Sequence, residues 1–367
     1  MIVENIELSN FRNYERERFF FDSGINIIIG DNAQGKTNLL ESIFYLTTAK
    51  SFRPGSDRDI VRFGASGFDL KANIYSAERR QKLRIVYEAG KKKQLYCNNI
   101  RLKTSSELSG KLTAVLFSPD DLYIIKDGAA ARRRLMDACI SQLRPKYASA
   151  LSQFRRAYEG KTRILKDSDK KPSLMGLLDE YNVLLARMSA NIIYYRAYFA
   201  ESLNNYAGKI HKDFSGGKED LKIRYKTVST IDDPKRKPSE LFEMIMEHQK
   251  SHFQAEIQSG QCLTGAHKDD LEIFINGGPA KSFASQGQTR TAALSIKLAE
   301  RQIHYKSMGE YPVLLLDDVL SELDDSRQNY ILNMIKEGQI FITCCEDGKI
   351  SQKTGGKIIK IHGGREV

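Results

Sequence analysis

Three short segments hold residue types whose spacing points to phosphate chemistry. Gly30 to Thr37 reads GDNAQGKT and fits G-x-x-x-x-G-K-[ST]. Its glycines let backbone N–H groups close around phosphate oxygens, and a helix opening there adds the positive end of its dipole. Lys36 is then placed to reach the β- and γ-phosphates of ATP, and Thr37 to offer its hydroxyl to Mg²⁺. Val313 to Asp324 reads VLLLDDVLSELD. Four apolar residues make a buried strand with Asp317 at its end, suited to Mg²⁺ or its water. Asp318 follows and is suited to orienting an attacking water. The plainer alternative is that both aspartates cap the next helix. Ser285 to Arg290, SQGQTR, opens a helix about 30 residues before the Asp317 strand and offers a further anion-binding helix start. The chemistry is transfer of a phosphoryl group to water.

These segments need elements to hold them. Ile2 to Leu8, Glu17 to Phe21 and Ile25 to Ile29 read as strands, and Lys36 to Thr47 as a helix with Leu39, Leu40, Ile43, Phe44 and Leu46 on one apolar side. Phe68 to Tyr75, Lys82 to Tyr87 and Gln94 to Cys97 alternate and predict an antiparallel meander. Thr113 to Phe117 is a further strand. Past Pro145 the pattern changes. Tyr147, Leu151, Phe154, Tyr158 and Leu165 keep helical spacing. After the linker KDSDKKPS, Leu174, Leu178, Tyr181, Leu185, Met188, Ile192, Tyr195 and Phe199 alternate steps of four and three. That predicts a short antiparallel helical hairpin. Ser239 to Ser259 reads as a helix with Ser239 as N-cap. From Leu271 the α/β pattern returns: a strand at Leu271 to Ile275, a helix from Gln286 to Tyr305, Val313 to Leu316 as a strand, a helix from Asp325 to Lys336, then strands at Ile340 to Cys344 and Lys357 to Ile361. The expected division is 1–125 and 259–367 as two parts of one lobe, with 126–258 as a helical lobe between them.

The chain has 367 residues and a formal net charge of +11, with 41% hydrophobic residues. No run approaches the roughly 18 apolar residues of a membrane span, and the N-terminus lacks the basic start of a secretory signal. Five cysteines, with no C-x-x-C, indicate neither a disulfide framework nor a zinc cage, so a reduced, cytoplasmic protein is expected. Basic clusters at Arg79-Arg80, Lys91 to Lys93, Arg132 to Arg134, Arg155-Arg156 and Lys235 to Lys237 make sequence-independent phosphate contacts plausible. His248 and His252 lie four apart but lack the glutamate of H-E-x-x-H, so a solvent-side pair is the simpler reading. His267 lies in a polar turn ahead of a strand and allows either a structural or a functional role.

The order and spacing of the three phosphate segments match ABC-type ATPases. More specifically, LSNFRNY at 8–14, GDNAQGKTNLLE at 30–41, FSPDDL at 117–122, RRRLMD at 132–137, GAHKDDL at 265–271, SQGQTR at 285–290 and LLLDDVLSELD at 314–324 resemble, in order, segments of the RecF family of bacterial DNA repair and replication proteins. Those proteins resemble the heads of SMC-type ATPases. The resemblance implies an α/β fold: a P-loop ABC-type ATPase head with a Rossmann-like lobe, an antiparallel β meander and a second, helical lobe with a short antiparallel hairpin. It implies ATP and Mg²⁺ as cofactors, with ATP sandwiched in a homodimer that forms on binding and parts after slow, DNA-stimulated hydrolysis. Double-stranded, gapped or junction DNA would be the partner, with RecR and RecO helping to load RecA at single-strand gaps in recombinational repair, replication restart and the SOS response.

Residue by residue, Gly30, Asp31, Asn32, Ala33, Gln34, Gly35, Lys36 and Thr37 would form the Walker A site. Asp317 would be the Walker B carboxylate, sharing the metal with Thr37, and Asp318 stands where many ABC ATPases have Glu. Ser285, Gly287 and Gln288 would act in trans as the signature, Asp324 in the D-loop, and Arg12 and Asn13 near the nucleotide. Thr343 stands where transporters often carry His, and no Q-loop glutamine is placed near Phe117-Ser118. A transporter ATPase subunit is the alternative, disfavoured by the interval of about 250 residues between Lys36 and Ser285. A non-enzymatic adaptor that holds ATP as structural glue is a third reading.

Overall fold

The computed structural model describes residues 1–167, 172–320, 323–345 and 354–367. Residues 1–121 with 297–367 form one compact unit, and residues 122–296 form another.

In the first unit, β1 (Ile2–Phe11) and β2 (Tyr14–Phe20) make a hairpin that β4 (Gly67–Ser76), β5 (Arg79–Glu88), β6 (Gln94–Cys97) and β7 (Ile100–Leu102) extend. The result is the expected antiparallel meander, ordered β2-β1-β4-β5-β6-β7. Its alternation is strict where it matters: Leu70, Ala72 and Ile74 face inward and are buried, as are Leu83 and Ile85 opposite them. The hairpin runs longer than the alternation suggested. Phe11 pairs with Tyr14, so Arg12-Asn13 is a two-residue turn, with Arg12 at φ 55°.

A second sheet joins β3 (Ile25–Ile29), β8 (Ala114–Phe117), β12 (Val313–Leu316), β13 (Ile340–Cys344), β14 (Lys357–His362) and β15 (Arg365–Glu366) in the order β15-β14-β3-β13-β12-β8. All pairings are parallel except β14–β15. Its apolar runs are those of strands covered on both faces. α1 (Lys36–Thr48) follows β3 and packs against both sheets. The sequence suggested one apolar side. Instead the helix is buried almost all round, Glu41 and Ser42 included. Leu39, Leu40, Ile43 and Leu46 are fully buried, each worth about 1.5–3 kcal/mol.

The second unit is mainly helical. α2 (Tyr123–Lys126) and α3 (Ala129–Leu143) lead into α4 (Pro145–Asp167), and after a 3₁₀ turn at Pro172–Leu177 comes α5 (Leu178–Phe214). The heptad-spaced series thus begins in that turn and continues through α5. α4 and α5 run antiparallel: Tyr147 meets Tyr195 edge-on at 5.8 Å, while Gly160 lies against the Tyr181 ring. A Cβ on Gly160 would come within 2.2 Å of that ring, so the approach requires glycine. α6 (Pro238–Ser259) starts one residue before the expected cap, with Lys237 rather than Ser239 at the N-cap. Pro238 explains this, since its fixed φ and missing N–H suit the first helical position.

β10 (Asp270–Ile275) pairs with β9 (Leu221–Lys226) and with β11 (Gly278–Pro279). α7 (Ala280–Phe283) and α8 (Gln286–Met308) follow, and α9 (Asp325–Met334) comes after β12. The boundary expected at 259 therefore lies at 296/297, inside α8. Strand pairing and a buried ion network tie 259–296 to the helical unit. Arg196 donates to Asp137 Oδ1 (2.8 Å), Asp269 Oδ2 (2.7 Å) and the Ala266 carbonyl (2.6 Å). Tyr225 and Thr227 also donate to Asp269, and Tyr147 to Asp137. Arg132 holds Asp270 bidentately, and Arg133 donates to the Asp269 carbonyl. Two arginines of the 132–134 cluster are thus committed to the fold rather than to a surface. Lys93 of another basic cluster is likewise engaged, by Asp57 and the Ala49 carbonyl. His267 is half-buried against Tyr158, with Nε2 at 3.0 Å from the Cys262 carbonyl, and loss of water around the ring pushes its pKa down to about 4. The neutral ring belongs to the packing of this unit.

Replacing Arg196 by Met should cost about 3–5 kcal/mol, because Asp137 and Asp269 would lose their buried counter-charge. Urea unfolding would report this as a lower midpoint. A change below about 1 kcal/mol would show that the network does not hold the unit together.

Candidate functional site

The site in the first unit is built on the carboxyl ends of neighbouring parallel strands, where α/β sheets bind ligands. β3 ends at Ile29, and Gly30 passes so close to β14 that a Cβ would lie 2.4 Å from the Ile361 carbonyl oxygen. The loop closes at Gly35, φ 122°, where Asn13 and the Tyr14 hydroxyl fill the space of a side chain. No side chain caps the start of α1, and its first turn holds no acid. Its leading N–H groups and dipole end are uncompensated, which fits an anion. Lys36 is buried, and its ammonium donates to the carbonyls of Gly30 (2.7 Å) and Asp31 (3.1 Å). Cys345 lies beside it, with Sγ 3.6 Å from Nζ and 3.2 Å from Asn32 Oδ1.

The loop is braced from two sides. Asn13 donates to the Gln34 carbonyl (2.8 Å), accepts from Asn38 (2.8 Å), and Tyr14 donates to the Gly35 carbonyl (2.9 Å). From the C-terminal strands, the Gly363 and Gly364 amides donate to the Gln34 side chain and carbonyl. The tight turn between β1 and β2 brings Asn13 to the loop, while Arg12, expected with it near the nucleotide, donates to Glu41 and the Asp59 carbonyl.

Thr37 donates to Asp317 Oδ1 at 2.9 Å. Thr343, on the strand between theirs, donates to the same oxygen at 3.0 Å and accepts from the Asp318 amide at 2.8 Å. Asp318 has φ 54°, a left-handed backbone unusual for a non-glycine residue. Burial holds the Asp317 carboxyl above its ordinary range, against the pull of the Thr37 and Thr343 hydroxyls. Hydroxyl and carboxylate oxygens of this kind are the donors that a hard cation such as Mg²⁺ takes.

Two residues that sequence reasoning had passed over belong here. Glu41 is fully buried and holds Arg12 bidentately (2.9 and 2.6 Å) and Arg53 (3.3 Å). Arg53 also donates to Asn38 Oδ1 at 2.8 Å, and its charge acts on Asp317. An acid in the middle of an otherwise apolar helix was the signal for Glu41. Nothing in the pattern singled out Arg53.

Ser285, Gly287 and Gln288 lie in the second unit. Ser285 and Gln288 form a reciprocal capping box at the start of α8: the Gln288 amide donates to Ser285 Oγ (3.2 Å), the Ser285 amide to Gln288 Oε1 (2.9 Å). Gln288 Nε2 also donates to Glu219, whose other oxygen lies 3.0 Å from His211 Nε2. Asp324 caps α9 by accepting from the Arg327 amide (2.9 Å). Ser321 and Glu322, expected in the same loop, lie outside the described residues.

A parallel sheet with a glycine-rich loop at one strand end and an aspartate at the end of the next strand but one, in a chain that also holds an antiparallel meander and a helical unit, defines an ATPase head of the SMC type. The family model for the RecF/RecN/SMC N-terminal domain matches residues 2–364. Solved SMC heads share this fold at 15–17% identity, with TM-scores of 0.55 and 0.56. Within that class the chain belongs to the RecF family of DNA replication and repair proteins. It is 38% identical to DNA replication and repair protein RecF of Acetivibrio thermocellus over 367 residues, covering 100% of this chain and 99% of the relative. It is 40% identical to that of Clostridium novyi over 346 residues, covering 94% and 92%. Structures titled for the recombination mediator protein RecF-ATPrS and RecF-ATP in the RecFOR pathway match with TM-scores of 0.92 and 0.91 at 33% and 34% identity, covering 100% of this chain and 97% and 96% of theirs. The full-length match sets aside the transporter alternative, and no described helix is long and apolar enough to cross a membrane.

Because burial raises its pKa, Asp317 opposes folding increasingly as pH climbs above the ordinary carboxylate value of about 4, and in full above its raised value. Below about pH 4 both the folded and unfolded forms are protonated and the penalty vanishes. Asp317→Asn should therefore raise the thermal midpoint of the nucleotide-free protein by about 2 °C near neutral pH, with no gain near pH 4. Melting curves across that range check it, and a gain that did not depend on pH would contradict this reading of the carboxylate.

Proposed function

We propose that this chain is an ATP-dependent DNA-binding protein. ATP binding clamps two copies together on DNA, and slow, DNA-stimulated hydrolysis releases them. The observation that carries the reading is the hydrogen bond between Thr37, next to Lys36 at the start of α1, and Asp317, 280 residues away at the end of a strand one removed from β3. The α1 amides and the Lys36 ammonium bind phosphate oxygens, while Thr37 and Asp317 hold Mg²⁺. Bound Mg²⁺ would neutralise charge developing on the transferring phosphoryl group. Asp318 orients the attacking water. Its side chain is one methylene shorter than the usual Glu, which suits a timer more than a fast enzyme. Ser285, Gly287 and Gln288 present a helix start to the nucleotide of a second copy, and Asp324 lies in the loop that follows the carboxylates.

Likeness to the solved RecF proteins supports ATP as the nucleotide, and their place in the RecFOR pathway supports RecO and RecR as co-workers in loading RecA at gaps. Double-stranded and gapped or junction DNA, held by phosphate contacts in the cytoplasm, completes the reading.

Binding to a labelled duplex, followed by anisotropy at fixed salt, should tighten at least tenfold with ATP–Mg²⁺. Affinity that ignores ATP would overturn the clamp. Lys36→Arg should keep ATP binding and lose hydrolysis by about 100-fold, and Ser285→Arg should bind ATP as a monomer yet form no ATP-driven dimer in sedimentation. Full turnover by the first variant would remove Lys36 from the transition state, and an unchanged dimer yield in the second would remove the signature in trans.

A further inference from the structure

The two carboxylates share a support that the proposed mechanism leaves without a task. Thr343 lies on β13, the strand between β3 and β12. Its neighbour Ile342 pairs with Leu316, the last residue of β12, so Thr343 falls beside Asp317. Its side chain is almost wholly buried. A hydroxyl has one proton to give and lone pairs to receive with, and Thr343 uses both on the same turn. The proton goes to Asp317 Oδ1 at 3.0 Å, and a lone pair takes the Asp318 amide at 2.8 Å.

We propose that Thr343 is a positioning residue for the hydrolytic centre, setting the side chain of Asp317 and the backbone of Asp318 through one oxygen. The inference rests on the ATPase reading above. Two features make the support necessary. Asp318 sits at φ 54°, a left-handed backbone uncommon for a residue with a Cβ, and the hydrogen bond from its amide to Thr343 pins that turn. Asp317 Oδ1 takes protons from Thr37 and Thr343 together, and neither hydroxyl engages Oδ2. The carboxylate is therefore held in one rotation, with a defined oxygen turned from the two threonines. Such partners of metal-holding groups typically change affinity or rate by about 10–100-fold when removed. Because β13 is flanked by the strands that lead into the loop and the carboxylates, Thr343 is also the point through which a shift of either strand would reach both acids.

The test compares Thr343→Val, which keeps the shape and removes the hydroxyl, with Thr343→Ser, which keeps the hydroxyl. Mn²⁺ binding to protein holding a non-hydrolysable ATP analogue, read by electron paramagnetic resonance, should weaken about tenfold in Thr343→Val. Its kcat should fall about 10–100-fold, while analogue affinity in the absence of metal stays within about threefold. Thr343→Ser should return both metal affinity and kcat to within about threefold of wild type. Wild-type metal affinity and kcat in Thr343→Val would overturn the proposal. So would a loss that Thr343→Ser fails to restore, since that assigns the effect to packing. Failure of the underlying reading shows separately, as absence of Mg²⁺-dependent hydrolysis in the wild type.

Discussion

A single hydrogen bond between the Thr37 hydroxyl and the Asp317 carboxylate sets the terms for the first unit. One partner opens the helix after β3 and the other ends β12, so the strands that carry them must be parallel, in register and separated by one strand only. Parallel strands need crossovers, and here the crossovers are very long: the whole helical unit is inserted between β8 and β12. The four-residue apolar run of β12 answers the same demand. A strand covered on both faces can be short and still be fixed, because each residue loses water on both sides of the sheet. Its rigidity is what allows a carboxylate to be kept buried at its tip.

The helical unit is organised by a different means. Its core is apolar along the hairpin, yet its junction with the three-stranded sheet depends on charges. Arg196 donates to four partners, and each acid it meets has a hydroxyl partner as well. Such a network is costly to desolvate and worth little as raw stability, but it allows few alternative arrangements. The helix that begins at Ser285 then inherits a defined start, since Gln288 is tied through Glu219 to His211 on α5.

Much of this was legible in the amino-acid sequence because it is local. The glycine-rich loop, the apolar run ending in Asp317, the alternation of the meander and the heptad steps of the hairpin each state their geometry within a dozen residues. What escaped detection depends on distant partners. Glu41 looks misplaced in an apolar helix until Arg12 and Arg53 arrive from other elements. The turn at Arg12-Asn13 is legible only once Phe11 and Tyr14 are known to pair. The division within α8 escaped because a continuous helix carries no composition change where the two units part. The arginines at 132 and 133 were grouped with surface cations because a basic run does not reveal which of its members meet buried acids.

The bracing of the glycine-rich loop by Gly363 and Gly364 gives the molecule an order in time. Gln34 and its partner Gly363 are 329 residues apart, and β14, which passes against Gly30, follows the loop by more than 300 residues. At ordinary rates of synthesis, tens of seconds separate the emergence of the loop from that of its brace. A growing chain thus carries its phosphate loop long before the loop is closed, and a polypeptide that stalls before β14 lacks one wall of the site.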